Sequence, residues 1–241
     1  MEANGRSEAD VEGIGEPVPG LLRELPMFEG LRAAVLERIA AGVSEVSARG
    51  KTVIFKRGDT CRGLYFVISG QVKLALDAPQ GGEQVVELVG SGGTLGETAL
   101  ILGVPYVLTA TVLADSRLLH WAREPVLSEF KRTPEFTRWF LNNASRRLRY
   151  LIGALEDCTL RSGTERVIGY LLNRLPPAVA DGQAMITLPA KKGVIASQLN
   201  LTHEHFSRIL RALATEALIE VDGRTVHIRN MDRLRTYCLE P

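Results

Sequence analysis

Between Lys51 and Trp121 the chain alternates short β-branched or aromatic runs with glycine, and twelve of its 23 glycines fall between Gly42 and Gly103. Thr52–Phe55, Leu64–Ile68, Gln71–Leu76, Gln84–Leu88, Thr109–Leu113 and Arg117–Trp121 read as strands. Short strands at this spacing, joined by glycine turns, argue for a closed or rolled antiparallel sheet, here a small β-roll.

Helical patterns flank the roll. Residues 1–20 lack periodicity and read as a flexible arm, and from Leu21 to about Val43 the apolar residues take helical spacing, with Leu31, Val35 and Ile39 four apart. Pro125 opens a second helical tract, in which Leu141, Ala144, Leu148, Leu151, Leu155 and Cys158 are spaced 3, 4, 3, 4, 3. So narrow a seam, flanked by Arg146, Arg147, Arg149, Glu156 and Asp157, suits a coiled-coil partner better than a globular core. The expectation is a homodimer formed along a helix at 134–160, with the β-roll at 21–133 and a second domain at 161–241.

In that second domain Thr164 is placed to cap a helix ending before Pro176-Pro177, Ile186–Leu188 reads as a strand, and Asp222-Gly223 predicts a type I′ hairpin. The sharpest chemical signal is Lys192–Leu213. Ile195, Leu199, Leu201, Phe206 and Ile209 fill the buried positions of a helix-turn-helix, Ala196 sits at its close approach, and Thr202 caps the second helix. On that helix His203, Glu204, Ser207, Arg208 and Arg211 form one polar face, as entry into a DNA major groove requires. Arginine can give two hydrogen bonds to guanine and glutamate can accept from cytosine, so Glu204 and Arg208 could read one G·C pair. His203, Glu204, Ser207 and Arg208 are the candidate base readers, and Lys191, Lys192, Thr202 and Arg211 the candidate phosphate contacts. Glu204 and Arg208 could equally form a surface ion pair one turn apart.

Composition narrows the alternatives. Of 241 residues 45% are hydrophobic and 24% charged, which excludes a disordered or fibrous chain. Residues 1–160 carry a net charge of −2 and residues 161–241 a net of +3, too mild an asymmetry to identify a nucleic-acid partner unaided. No run approaches the roughly 20 apolar residues of a membrane helix. The acidic first twenty residues do not read as a secretory signal. Three dispersed cysteines suggest a reducing cytoplasm and cannot supply a four-thiolate iron–sulfur cluster within one subunit. With one of the four histidines (His120) in the β region, and no nucleophile, phosphate-loop or paired-carboxylate motif, an enzyme or a metal site is not expected.

Several segments carry a further resemblance: Gly58-Asp59, Leu64–Gly70, Gly96-Glu97, Glu165-Arg166-Val167 and Glu204-His205-Phe206-Ser207-Arg208. From about Leu21 to Arg235 the chain resembles the bacterial Crp/Fnr superfamily of transcription regulators, which join a β-roll sensor, a dimerisation helix and a winged helix-turn-helix. The last segment is similar to the E-x-x-S-R signature of the fumarate–nitrate branch, which implies an inverted repeat close to TTGAT-N4-ATCAA. The resemblance also implies RNA polymerase as the protein partner of an activator, although these residues leave activation and repression open. In cyclic-nucleotide members an arginine follows the G-E pair and neutralises the phosphate; here that motif reads Leu108-Thr109-Ala110. Gly96, Glu97, Leu100, Ile101, Leu108 and Thr109 mark the effector pocket that the resemblance implies. Its apolar lining is similar to that of the denitrification subgroup, for which haem and nitric oxide are the implied cofactor and signal. The pattern Leu119-in, Trp121-in nevertheless turns His120 outward as a solvated residue. A cyclic-nucleotide response and control by abundance alone remain alternatives.

Overall fold

In a computed structural model, the residues described are 30–77, 81–175 and 183–237, with 20, 22 and 28. Of the expected arm at 1–20 all but Gly20 lies outside them, as does the Pro176-Pro177 stop. The chain divides into two compact units, residues 1–148 and 149–241, and the division falls inside the long helix rather than at either of its ends.

In the first unit the glycine-rich run forms one antiparallel sheet. Helix α1 (Ala33–Ala41) precedes β1 (Val43–Ala48), β2 (Val53–Phe55), β3 (Gly63–Asp77), β4 (Glu83–Gly90), β5 (Thr94–Leu95), α2 (Glu97–Leu102) and β6 (Thr109–Ala122). The strands run β1-β6-β3-β4, with β2 on β6 and β5 on β3. Two corrections to the sequence reading follow. Leu64–Ile68 and Gln71–Leu76 are one strand, as are Thr109–Leu113 and Arg117–Trp121, so a roll is made by bending long strands rather than by joining short ones. The bend lies where the β3–β6 register shifts between Val67 and Val72. Gly70 makes it, at φ +91° and with its backbone so close to Ser116 that an added Cβ would lie 2.0 Å from Oγ. Secondly, Val43–Ala48, which the helical pattern was expected to reach, is an edge strand paired with Ser116–Trp121.

Helices α3 (Arg123–Arg132) and α4 (Pro134–Leu160) follow. Proline opens α4 rather than α3, in the first-turn position where its missing N–H costs no hydrogen bond. The start of α4 closes the roll: Phe136 packs edge-on against Trp121 at 5.2 Å and Trp139 stacks on Phe28 at 5.4 Å. On α3 Glu129 takes both a 2.7 Å bond from Arg38 of α1 and one from Thr133. Burial works against its charge, but these bonds prevail and hold the carboxyl below its ordinary range.

The second unit contains the end of α4, then α5 (Gly163–Leu172), β7 (Ala184–Thr187), α6 (Lys192–Gln198), α7 (His203–Thr215), β8 (Ile219–Asp222), β9 (Thr225–Ile228) and α8 (Met231–Thr236). Ser162, not Thr164, caps α5: its hydroxyl accepts from the Glu165 N–H while the Glu165 carboxylate accepts from the Ser162 N–H. The sheet order is β7-β9-β8. Asp222 pairs with Thr225, so the hairpin turns on Gly223-Arg224, one residue later than expected. Only Gly223, at φ +56°, has positive φ there, which the type I′ turn would require of Arg224 as well.

Candidate nucleic-acid interface

Helix α7 is sharply two-sided. Phe206, Ile209, Leu210 and Leu213 are buried, while His203, Glu204, Arg208 and Arg211 are exposed and Ser207 is half-buried. Thr202 starts it, its hydroxyl accepting from the His205 N–H at 3.1 Å. Among the described residues none of Glu204, Arg208 and Arg211 has an ion-pair partner, and the Glu204–Arg208 pair does not form.

Arg166, on α5, holds the turn before α7. Its Nη1 donates to the carbonyls of Leu199 at 2.7 Å and Asn200 at 3.3 Å, and Asn200 takes the left-handed conformation at φ +54°. A cation at these carbonyls also complements the negative end of α6. Gly163 lets α5 approach closely: an added Cβ would lie 3.1 Å from His205 and 3.2 Å from Leu201. Between α7 and the wing strands β8 and β9 lies an open cleft of about 690 Å³, lined by Lys192, Ser207, Arg211, Glu220 and Arg229. Lys191 and Lys192 stand at the N-terminus of α6, where the helix dipole disfavours cations unless an anion joins them. Of the base-reading and phosphate candidates, Lys192, Ser207 and Arg211 line this cleft together. Arg229, which pairs with Glu220 in the cleft, and Arg166 were not singled out as site residues from the sequence.

On α4, Leu141, Leu148 and Leu155 are each about 60% exposed, and Ile152, absent from the expected seam, is 58% exposed. Ala144 is also exposed, whereas Leu151 and Cys158 are half-buried. The exposed apolar line therefore passes through Ile152 where the strict 3–4 spacing passes through Leu151.

The residues expected to bind an effector are placed differently. Gly96, at φ +95°, packs its backbone on Tyr106 and Gly63 and delivers Glu97 as the first residue of α2. Glu97 is not open to solvent: Arg147 of α4 grips both its oxygens at 2.8 and 2.9 Å and pairs with Glu87 at 2.7 Å. All three side chains are less than a quarter exposed. Burial lifts the Glu87 carboxyl, against the pull of Arg147. For Arg147 burial opposes the charge, yet the two carboxylates outweigh it and raise its pKa. Leu100 is buried in the core, Ile101 is 49% exposed, and Leu108 packs half-buried on the core. Thr109 accepts from the Arg57 N–H and donates to Asp77.

His120 is half-buried rather than solvated. Its ring lies 4.6 Å from that of Tyr65, and its Nε2 is buried without a partner among the described residues. Burial pushes its pKa down. A Cβ on Gly63 would come within 2.7 Å of Nε2, so backbone covers the atom that would have to bind an iron. These residues do not fit haem. Among the described residues no group of three or more histidine, cysteine or acidic side chains could hold a metal. No described helix is long and apolar enough to cross a membrane.

Comparison with known proteins accords with this layout. Residues 45–133 match the cyclic nucleotide-binding domain family and residues 165–237 the Crp-like helix-turn-helix domain family. A relative from Mycobacterium tuberculosis, the CRP-like cAMP-activated global transcriptional regulator, is 26% identical over 217 residues, 89% of this chain and 96% of its own. The cyclic AMP receptor protein of Thermus thermophilus is 28% identical, over 85% of this chain and 92% of its own. Among solved structures, FixK2 from Bradyrhizobium japonicum shares the fold with a TM-score of 0.71 at 24% identity, over 80% of this chain and 96% of its own. A sensor-type sheet domain followed by a Crp-like helix-turn-helix, matched in that order and echoed by relatives along nearly their full length, places this chain in the Crp/Fnr family of transcription regulators.

Proposed function

We propose that the protein binds an inverted repeat close to TTGAT-N4-ATCAA as a homodimer, through α7 of each protomer. The observation that carries this reading is the exposed row Glu204, Arg208 and Arg211, unpaired among the described residues, on a helix whose opposite side is buried. Arg208 reads guanine and Glu204 the paired cytosine, with Ser207 toward the outer thymines and His203 at the helix start. Lys191, Lys192, Thr202 and Arg211 hold phosphates, which adds affinity and salt dependence without specificity. The apolar line on α4 pairs with its copy, and RNA polymerase is the protein partner. The test is fluorescence anisotropy of a TTGAT-N4-ATCAA duplex against a scrambled one at fixed salt. Equal, weak binding to both overturns the reading.

Control runs through the junction of Glu97, Arg147 and Glu87, since a ligand that engages Glu97 must compete with α4 for it. A nitric-oxide response through haem finds no support in the covered His120 Nε2. One observation favours a second reading, a cyclic-nucleotide response such as the names of the Mycobacterium and Thermus relatives describe. Arg147 places a guanidinium beside Glu97, which a cyclic phosphate could engage by drawing it from Glu97 and Glu87. Calorimetric titration with cyclic AMP separates this from control by abundance alone, which predicts no heat and the same operator affinity with and without the nucleotide.

A further inference from the structure

Gln198 is the last residue of α6, and its amide reaches α4, where Nε2 donates to the Tyr150 hydroxyl at 3.1 Å. The Gln198 Oε1 is buried with no partner among the described residues. The bond survives a reversal of the amide, because a phenol both donates and accepts. Beside this pair Tyr170 of α5 is 8% exposed, with the Arg174 guanidinium 4.0 Å above its ring. Burial, opposed by Arg174 and reinforced by the nearby Tyr150 phenol, pushes Tyr170 up to about 12. The end of α6 thus meets α4 over a polar contact whose phenol is 46% exposed while the amide oxygen behind it is buried, so a lost bond leaves the Gln198 amide further short of partners.

This contact has a geometric consequence. Downstream of Gln198, Arg166 clamps the turn at Leu199 and Asn200, so α7 follows α6 rigidly. Upstream, α4 carries the apolar line that pairs the protomers. The direction in which α7 points from the dimer axis is therefore set where α6 meets α4. We propose that Tyr150 and Gln198 are positioning residues for operator recognition, their hydrogen bond fixing the separation of half-sites that the dimer accepts. The inference rests on the dimeric DNA-binding reading above.

The test compares full-length protein with Tyr150→Phe and Gln198→Met on TTGAT/ATCAA duplexes with spacers of N4, N3 and N5, and on a duplex with a single half-site. Wild type prefers N4. Each variant is expected to lower that preference about tenfold, two neutral hydrogen bonds being lost per dimer, while single half-site affinity stays within about twofold. The double variant loses no more than the larger of the two single losses, because either substitution already breaks the bond the two residues share. An intact N4 preference in both single variants overturns the inference, as does an equal loss on the single half-site. Additive losses in the double variant overturn it too. If wild-type protein selects none of the duplexes, the regulator reading itself has failed. Amide hydrogen exchange across 192–200 in DNA-free protein then decides: faster exchange in both variants upholds the contact as a restraint on α6, and unchanged exchange overturns it.

Discussion

The sheet unit and the helix α7 treat their charged residues in opposite ways. In the sheet unit, the carboxylate expected to meet an effector is already satisfied: Glu97 and Glu87 share Arg147, and Glu129 is tied to Arg38. On the recognition helix Glu204, Arg208 and Arg211 stand one turn apart with no partner among the described residues. Charges paired inside the protein contribute to its fold and are released only at a cost. Unpaired charges on a surface contribute little to stability and are available to a ligand. The contrast separates a region that holds itself closed from one built to be completed by something else.

Four measurements would break or sharpen that contrast. The largest effect is expected from Leu148→Asp or Leu155→Asp, which put a carboxylate into the exposed apolar line of α4 proposed to pair the protomers. Sedimentation should show monomer, and operator affinity should fall by more than about 100-fold, since one half-site cannot retain the affinity of two. Next is Arg147→Met, which leaves two carboxylates poorly solvated and facing each other. A loss of about 3 kcal/mol is expected in urea unfolding. Its pH dependence has a definite sign. The Glu87 carboxyl, already raised by burial against the pull of Arg147, would rise further without it, so stability is retained at low pH and lost as pH rises through that value. The variant should therefore fall further below wild type at pH 8 than at pH 5.

Arg208→Ala should do the reverse, leaving the unfolding midpoint within about 0.5 kcal/mol of wild type. It should weaken the operator complex by about 1–3 kcal/mol and relax selectivity at one base pair, read by anisotropy on single-substituted duplexes. Destabilisation comparable to that of Arg147→Met would erase the distinction between the units. The smallest effect is that of Lys192→Ala. It should lower affinity for all duplexes alike and reduce the salt slope of log K by about one per protomer.

The two-sidedness of α7 was legible in the sequence because it is a local pattern. His203 to Arg211 lie within three turns of one helix, and their period places them opposite Phe206, Ile209 and Leu213 without knowledge of any other segment. The Arg147 junction was not, since Glu97 is 50 positions away and its pairing depends on how α4 meets the sheet. Tyr150 and Gln198, 48 positions apart, were hidden for the same reason. In the sheet, Gly70 was read as a turn because glycine serves turns and bends alike. What distinguishes them is the approach of Ser116, which belongs to another strand. Val43–Ala48 was missed as a strand because its partners, Ser116–Trp121, lie 68 to 78 residues ahead in the chain.

The joint between α4 and α5 sets how this architecture can move. Only Arg161 and Ser162 separate Leu160 from Gly163. Each residue contributes two soft dihedrals, and those of Ser162, at φ −62° and ψ 162°, are fixed by its reciprocal bonds with Glu165. Arg161 is itself held to Asp157 by its side chain at 3.1 Å and by its backbone N–H. Such a joint has almost no slack. A twist applied to α4 reaches α5 as torque about a short axle, and while those bonds hold, the domain beyond it swings along an arc rather than wandering on a tether.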